Sequence, residues 1–248
     1  MKSYFVTDLD KTIIFSKEPS QYCVEQYEGR NITFMTDKSF SLLQEVIKKA
    51  EFVPCTMRNL KQTIRINFIR ELNPKFMICT NGAQIYIDGV LDEEWDNKIR
   101  EFVSKEEITN LIEEIENLNT DATEIRNVEE FYVALKYKTE KIAKEMTTKL
   151  QKIYGEKYLV SSLGIKVFLI NRNIDKSFAL DYLKDKYGFE DIHTAGDSDY
   201  DMEFTSLPYV KAYLPLHSTF THKNAYISNK KGIESTEDIL EELLKNIN

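Results

Sequence analysis

Short apolar segments alternate with amphipathic segments along most of the chain. The apolar segments have the length and composition of buried parallel strands. They lie at 4–7, 51–55, 75–79, 192–195, 209–213 and 225–227. Between and after them, apolar residues recur at helical spacing at 40–47, 64–72 and 239–247. This alternation of strand and helix predicts an α/β fold built on a doubly wound parallel sheet.

The middle of the chain departs from this rhythm. Asn81 and Gly82 open a hairpin-like stretch with a second turn at 88–89, and Ser104 with Glu107 forms a capping box that predicts a helix start. After that helix we expect a strand at 131–137, a helix at 139–153 and two strands within 158–170. A block of about eighty residues is long enough to be a domain. We therefore predict an α+β domain at 83–170, inserted into a core formed by 1–82 and 171–248.

Acidic residues follow two of the predicted strands. Asp8 and Asp10 come after the first strand, and Asp197 and Asp201 come after the strand at 192–195. Strand alternation points Asp8 and Asp10 the same way, at the sheet edge where open α/β sheets bind ligands. Each pair taken alone is equally typical of turn or helix-start aspartates. Two acidic clusters at one edge repel each other unless a cation binds between them, so together they predict a Mg²⁺ site.

Polar and cationic residues are expected beside the carboxylates. Thr56 and Arg58 follow the second strand, and Lys176 precedes the helix after the predicted insertion. A hydroxyl, a guanidinium and an ammonium could all donate to a phosphoryl group. The alternatives are a helix cap for Thr56 and a solvated surface position for Lys176.

Composition narrows the range of functions. Lys plus Arg number 33 and Asp plus Glu number 41, so the net charge is −8, which argues against a nucleic-acid partner. No apolar run approaches the ~20 residues of a membrane helix, and the N-terminus lacks the apolar stretch of a secretory signal. We therefore predict no membrane partner and a cytoplasmic location. The three cysteines form no Cys-x-x-Cys pair, and no P-loop motif occurs.

Four segments in order carry a resemblance to a known family. DLDKT at 8–12, Thr56, Lys176 and GDSDYD at 196–201 resemble motifs one to four of the haloacid dehalogenase superfamily of phosphohydrolases. The insertion between motifs two and three resembles subfamily IIB, the Cof-like and sucrose-phosphatase-like proteins. These proteins have a Rossmann-like core and an inserted α+β cap domain. A closer similarity, to hydrolases found with tellurium-resistance gene clusters, lies in residues 23–36, 52–59 and 80–83.

The resemblance implies a Mg²⁺-dependent phosphatase. By its motifs, Asp8 is the nucleophile that forms an aspartyl-phosphate, and Asp10 is the general acid that later acts as base. Mg²⁺ is bound by Asp8, the Asp10 carbonyl and Asp197, with Asp201 in support. Many members have Asn where this chain has Tyr200. The contact that this Asn makes to the metal ligands is therefore in question for this chain.

The resemblance also assigns the substrate phosphate. Thr56 and Lys176 stabilise the transferring group, and Arg58 and Asn81 are further candidates for phosphate or substrate binding. The expected substrate is a small sugar-phosphate-like monoester. Cationic candidates in the predicted cap domain, each as readily explained as surface charge, are Arg126, Lys136 and Lys166.

Two alternatives remain open at this point. A sugar phosphomutase of the same superfamily shares the nucleophile and the acid/base aspartate. A phospho-accepting signalling domain shares the acidic cluster, Thr and Lys, but is typically ~120 residues long and lacks an insertion of this size. Neither the substrate nor the oligomeric state follows from the sequence.

Overall fold

The computed structural model describes residues 2–16 and 21–247. In chain order it begins with β1 (Ser3–Thr7), β2 (Tyr22–Tyr27), β3 (Arg30–Met35), α1 (Asp37–Lys49), β4 (Ala50–Pro54), α2 (Leu60–Thr63), α3 (Asn67–Leu72), β5 (Phe76–Cys79), β6 (Gln84–Ile87) and β7 (Val90–Leu91). It continues with α4 (Glu93–Arg100), α5 (Lys105–Asn117), β8 (Glu124–Val128), β9 (Tyr132–Lys136), α6 (Glu140–Tyr154), β10 (Tyr158–Leu163) and β11 (Lys166–Asn171). It ends with α7 (Lys176–Tyr187), β12 (Asp191–Ala195), α8 (Met202–Thr205), β13 (Val210–Leu214), β14 (Tyr226–Ile227) and α9 (Ser235–Asn246).

The chain forms two compact units. One comprises Met1–Asp92 with Asp175–Asn248, and the other, inserted unit is Glu93–Ile174. The bounds differ from the predicted 83–170. Residues 83–92 stay with the first unit because β6 pairs antiparallel with β5, and β7 pairs with β6.

The first unit is built on a five-stranded parallel sheet in the order β14-β13-β12-β1-β4. The α/β fold with a parallel sheet is therefore confirmed. Thr7, the last residue of β1, pairs with Ala195 of β12 and with Pro54 of β4. The carboxyl ends of these three strands consequently lie side by side, which brings the segments after them to one edge.

The predicted strand at 75–79 differs from the expected arrangement. It is β5, and it belongs to an antiparallel sheet with β6 and β7, beside which a single parallel bridge joins Ile78 to Cys55. The chain reverses after β5 because Thr80, Asn81 and Gly82 all have positive φ, at 54°, 59° and 93°. The hairpin of β2 and β3, helix α4 and strand β8 were not predicted.

The inserted unit contains a four-stranded antiparallel sheet in the order β10-β11-β9-β8, against which α5 and α6 pack. Its helix α5 begins as predicted, since the Ser104 side chain accepts the N–H of Glu107. The three cationic candidates are exposed, and Lys136 lies directly opposite Lys166 in the β9–β11 pairing. Like charges directly opposite each other are unfavourable in a sheet.

The chain leaves the first unit after Asp92 and re-enters it at Asp175, and both residues contact other parts of that unit. The Asp92 carboxylate accepts hydrogen bonds from the Tyr182 hydroxyl at 3.0 Å and from Lys186 Nζ at 3.1 Å. At the second crossing, Gly82 approaches Asp175 so closely that a Cβ on this glycine would lie 2.4 Å from the Asp175 carbonyl oxygen. The points where the chain leaves and re-enters the first unit are thus fixed by local contacts.

His193 lies in the core and is fully buried. Its ring contacts the Tyr213 hydroxyl at 3.0 Å and Asp191 at 3.2 Å. Asp191 also accepts hydrogen bonds from Ser3 and Lys211. Although burial opposes it, the bonds from Ser3, Lys211 and His193 lower the pKa of Asp191 to about 2.

In the described part of the chain, every helix is too short or too polar to span a membrane.

Candidate active site

The two aspartates that follow β1, Asp8 and Asp10, contact different residues. The Asp8 N–H donates to the Ala195 carbonyl at 2.9 Å, so Asp8 continues the line of the sheet and is buried. The Leu9 carbonyl then accepts the N–H groups of Ile13 and Ile14, and Lys11 has φ of +66°. The Asp10 carboxylate is half-exposed, whereas that of Asp8 is buried.

Lys176 is the centre of the buried part of the site. Its ammonium donates to Asp8 Oδ1 at 2.7 Å and to Asp201 Oδ1 at 2.6 Å, and only 1% of the residue is exposed. Although burial disfavours its charge, Asp201 and Asp8 raise the pKa of Lys176. The position is fixed because Lys176 is the first residue of α7, whose capping residue Asp175 accepts the N–H of Ser177. A buried ammonium is tolerated only with such close partners.

Asp201 is held by the loop that precedes it. Its Oδ2 accepts the N–H of Asp197, the N–H of Ser198 and the Ser198 hydroxyl, at 3.1, 2.9 and 2.8 Å. Gly196 makes this possible, because a Cβ there would lie 2.3 Å from the Asp201 Cβ. Both oxygens of Asp201 are therefore engaged with protein groups.

Thr12 joins the two acidic clusters, a contact that sequence analysis missed although the residue lies within the DLDKT motif. Its hydroxyl lies 3.1 Å from Asp197 Oδ1 and 3.4 Å from Asp8 Oδ2. A hydroxyl has one hydrogen and can donate to only one of these oxygens at a time. The second oxygen of Asp8 is thus the less firmly held of its pair.

The buried carboxylates fit a hard divalent cation. Carboxylate oxygens of Asp8, Asp197 and Asp201 lie within 4.8 Å of one another, and the Lys176 ammonium hydrogen-bonds to two of these three carboxylates, so that negative charge is in excess. Burial, with repulsion from Asp201, raises the pKa of Asp197 to about 7. Burial also raises the pKa of Asp8, although Lys176 opposes the effect. Oxygen ligands with uncompensated negative charge are what Mg²⁺ prefers.

Asp10, predicted as a fourth metal residue, has its side chain elsewhere. Arg58 donates two hydrogen bonds to the Asp10 carboxylate, from Nε at 2.6 Å and from Nη2 at 2.7 Å. Any ligand that Asp10 offers to a metal is consequently its main-chain carbonyl, the atom that the resemblance implies. The guanidinium of Arg58, predicted to bind phosphate, is largely occupied by Asp10 and by Glu25.

Thr56 and Asn81 lie in neighbouring loops that are joined through the backbone. The Thr56 carbonyl accepts the N–H of Asn81 at 3.0 Å, and the Thr56 hydroxyl oxygen accepts the N–H of Arg58 at 3.1 Å. Both residues are buried, and among the described residues the Asn81 side-chain oxygen has no hydrogen-bond partner. An orphaned buried acceptor is costly unless a ligand donates to it.

Tyr200, the departure from the family pattern, is buried in the turn that carries Asp199 and Asp201. The cysteines offer no competing chemistry near the carboxylates. Cys55 and Cys79 are buried free thiols, and burial raises the pKa of each, to about 12 for Cys79. Thiols in such surroundings are inert.

Comparison with known proteins gives the family. The family model described as sucrose-6F-phosphate phosphohydrolase matches residues 1–212. A search of curated proteins gives no match. No comparison bears on the closer similarity to the tellurium-resistance group, which stays a prediction.

Solved structures with similar folds cover almost the whole chain. The sucrose-phosphatase from Synechocystis sp. PCC6803, determined with sucrose and phosphate, has a TM-score of 0.65 at 15% identity over 99% of this chain and 98% of that one. A Thermoplasma acidophilum protein has a TM-score of 0.69 at 17% identity over 98% and 99%. A HAD/Cof-like hydrolase from Plasmodium vivax has 0.70 at 12% identity over 99% and 96%. With four motif segments meeting at one sheet edge and a family model matching most of its length, the chain belongs to the sucrose-6F-phosphate phosphohydrolase family of haloacid-dehalogenase-like phosphatases.

Proposed function

We propose that the protein is a Mg²⁺-dependent phosphatase that hydrolyses small sugar-phosphate-like monoesters through an aspartyl-phosphate on Asp8. The observation that carries the proposal is the buried cluster of Asp8, Asp197 and Asp201, in which the ammonium of Lys176 binds Asp8 and Asp201. Membership of a phosphatase family supports the reaction class.

Asp8 is suited to attack phosphorus with one particular oxygen. Lys176 holds Oδ1 at 2.7 Å, whereas Oδ2 has only the 3.4 Å contact with Thr12. We assign Oδ2 as the nucleophile. Lys176 favours the ionised carboxylate that this attack needs, and with the Thr56 hydroxyl it would stabilise charge on the transferring group.

Three groups would hold the metal: the carboxylates of Asp8 and Asp197 and the main-chain carbonyl of Asp10. Asp201 supports them by fixing the loop of Asp197 through the hydrogen bond to its N–H. When bound, Mg²⁺ neutralises charge on the phosphoryl oxygens and orients them.

Asp10 would act first as the general acid and then as the general base. In the first step Asp10 is protonated; Asp8 bonds to phosphorus, the ester bond breaks, and Asp10 gives its proton to the leaving oxygen. In the second step water attacks the phosphorus and gives a proton to Asp10 while the bond between phosphorus and the Asp8 oxygen breaks, so that phosphate leaves and the Asp8 carboxylate is restored.

Sugar-like substrates are favoured by two features. The orphaned oxygen of Asn81 is an acceptor that a substrate hydroxyl could satisfy. A fold neighbour was determined with sucrose and phosphate bound. Arg126, Lys136 and Lys166 stay candidates for binding the remainder of the substrate, and the cytoplasmic location stays a prediction.

The test is a turnover screen of sugar, nucleotide and polyol phosphates with Mg²⁺ or with excess chelator. We expect phosphate release that chelator abolishes and Mg²⁺ restores. Asp8→Asn should reduce turnover to background, whereas Asp10→Asn should lose ~10²–10⁴-fold and accumulate a phosphoryl adduct visible by intact mass. Asp199→Asn, an exposed aspartate of the same loop, is the matched control. Full activity in chelator, near wild-type turnover of Asp8→Asn, or an isomerised product would contradict the proposal; the last would indicate a phosphomutase.

A further inference from the structure

Glu25 is a buried acid that the proposed mechanism does not use. It lies on β2 where the pairing with β3 shifts register, and it forms an isolated bridge to Ile66. Because of this irregularity, Val24 and Glu25 are both buried, although neighbouring residues of a regular strand point to opposite faces. Such bulges redirect a side chain and are common near active sites.

The carboxylate of Glu25 is fully satisfied. Oε1 accepts from Arg65, with Nε at 2.8 Å and Nη2 at 2.7 Å, and Oε2 accepts from Arg58 Nη1 at 2.9 Å and from the Thr33 hydroxyl at 3.0 Å. With Asp10 included, two carboxylates face two guanidinium groups and the cluster is neutral. A fully buried, paired carboxylate of this kind has one orientation.

Arg58 transmits that orientation to Asp10. Its Nη1 is held by Glu25 and by the Gln62 carbonyl, while Nε and Nη2 point at the two oxygens of Asp10. Because a guanidinium is planar, fixing Nη1 on Glu25 also fixes the plane in which Nε and Nη2 meet Asp10. The Asp10 side chain is 49% exposed, so burial contributes little to holding it.

We propose that Glu25 is a positioning residue for the acid/base Asp10 and acts through Arg58. The inference rests on the proposed function. It assigns the hairpin of β2 and β3 a role in the reaction, because the hairpin supplies the buried carboxylate that binds Arg58 Nη1. Misplacing a reacting group by about 1 Å can cost ~10²-fold in rate. We therefore expect Glu25→Gln to lower kcat ~10- to 100-fold on an alkyl phosphate, with KM changed less than threefold.

The experiment is a double-mutant cycle with Asp10→Asn, measured as steady-state phosphate release with Mg²⁺. If Glu25 acts through Asp10, Glu25→Gln costs less than threefold in the Asp10→Asn background. Glu28→Gln, the same change at an exposed position of the same hairpin, is the matched control; we expect a loss below threefold. Melting temperatures establish folding. If Glu25→Gln does not fold, Arg58→Lys replaces it in the double-mutant cycle. This variant keeps the positive charge but loses the contact of two nitrogens to Asp10.

The outcomes separate this inference from the proposed function. Equal losses from Glu25→Gln with and without Asp10, or a loss from Glu28→Gln as large as that from Glu25→Gln, would overturn the positioning role and leave the phosphatase intact. A wild-type protein that releases no phosphate from any monoester would overturn both.

Discussion

Replacing Asp197 by Asn should stabilise the metal-free protein. Asp197 is 5% exposed and faces the charge of Asp201, so its ionised form is disfavoured in the folded state. Asn has the same shape and can still accept from the Thr12 hydroxyl through Oδ1. The substitution therefore removes repulsion without removing the hydrogen bond.

The magnitude follows from the pKa of Asp197, which rises from 3.8 to about 7 on folding. At 1.36 kcal/mol per unit, the ionised carboxylate costs about 4 kcal/mol of folding free energy above the folded pKa. Because the pKa is raised, the cost is present at high pH and is relieved as pH falls below about 7. At pH 5 the cost is smaller, roughly 1–2 kcal/mol. The advantage of Asp197→Asn should thus be larger at pH 8 than at pH 5.

Urea denaturation in excess chelator at both pH values measures these differences. Added Mg²⁺ should stabilise the wild type, by about 2.7 kcal/mol at a hundred times Kd, and should stabilise Asp197→Asn much less. Asp199→Asn makes the same change at an exposed position of the same loop, and we expect it to alter stability by less than about 0.5 kcal/mol. Our account of the acidic cluster is refuted if Asp197→Asn is less stable than the wild type in chelator at pH 8, or if the difference is the same at pH 5.

Three further predictions concern stability. Lys176→Met should cost about 3–5 kcal/mol in urea denaturation because it leaves buried carboxylates unpaired, whereas Lys245→Met, on an exposed pair with Glu242, should leave the denaturation midpoint nearly unchanged; equal costs would contradict the burial argument. Gly196→Ala should cost about 1–3 kcal/mol and weaken Mg²⁺ stabilisation by displacing Asp201, while Gly89→Ala, in open space, should leave the Mg²⁺ effect unchanged in the same thermal melts. Asp191 has a pKa lowered to about 2, so its contribution is present above about pH 4 and is lost as pH falls through 2; Asp191→Asn should flatten acid denaturation in that range, and an unchanged profile would argue against the network.

Much of the core could be predicted because parallel strands buried on both faces leave uninterrupted apolar runs. The segment that became β5 has such a run too, and its antiparallel pairing depends on the positive φ values of the turn after it. The hairpin of β2 and β3 was not predicted, because the residues of β2 around Glu25 do not alternate between buried and exposed.

The site, too, contains residues that could be predicted from the sequence and residues that could not. Asp8, Lys176 and Asp201 were predicted from motifs, and the structure places them within hydrogen-bond distance of one another through the lysine. Thr12 could be suspected only from its place in a motif. Glu25 could not be found at all, since its burial depends on a register shift and on Arg65, which lies forty residues away in the chain.

The way the chain crosses between its units has a consequence for how such proteins diversify. Asp92 is bound by side chains of α7, and Asp175 caps the same helix directly before Lys176. Recombination at these two points would exchange everything between them and leave the first turn of α7 anchored. A different inserted segment could therefore be joined at these two points of this chain without rebuilding the lysine contact to Asp8 and Asp201. Shuffling the segment between relatives in the laboratory should be correspondingly well tolerated by the core.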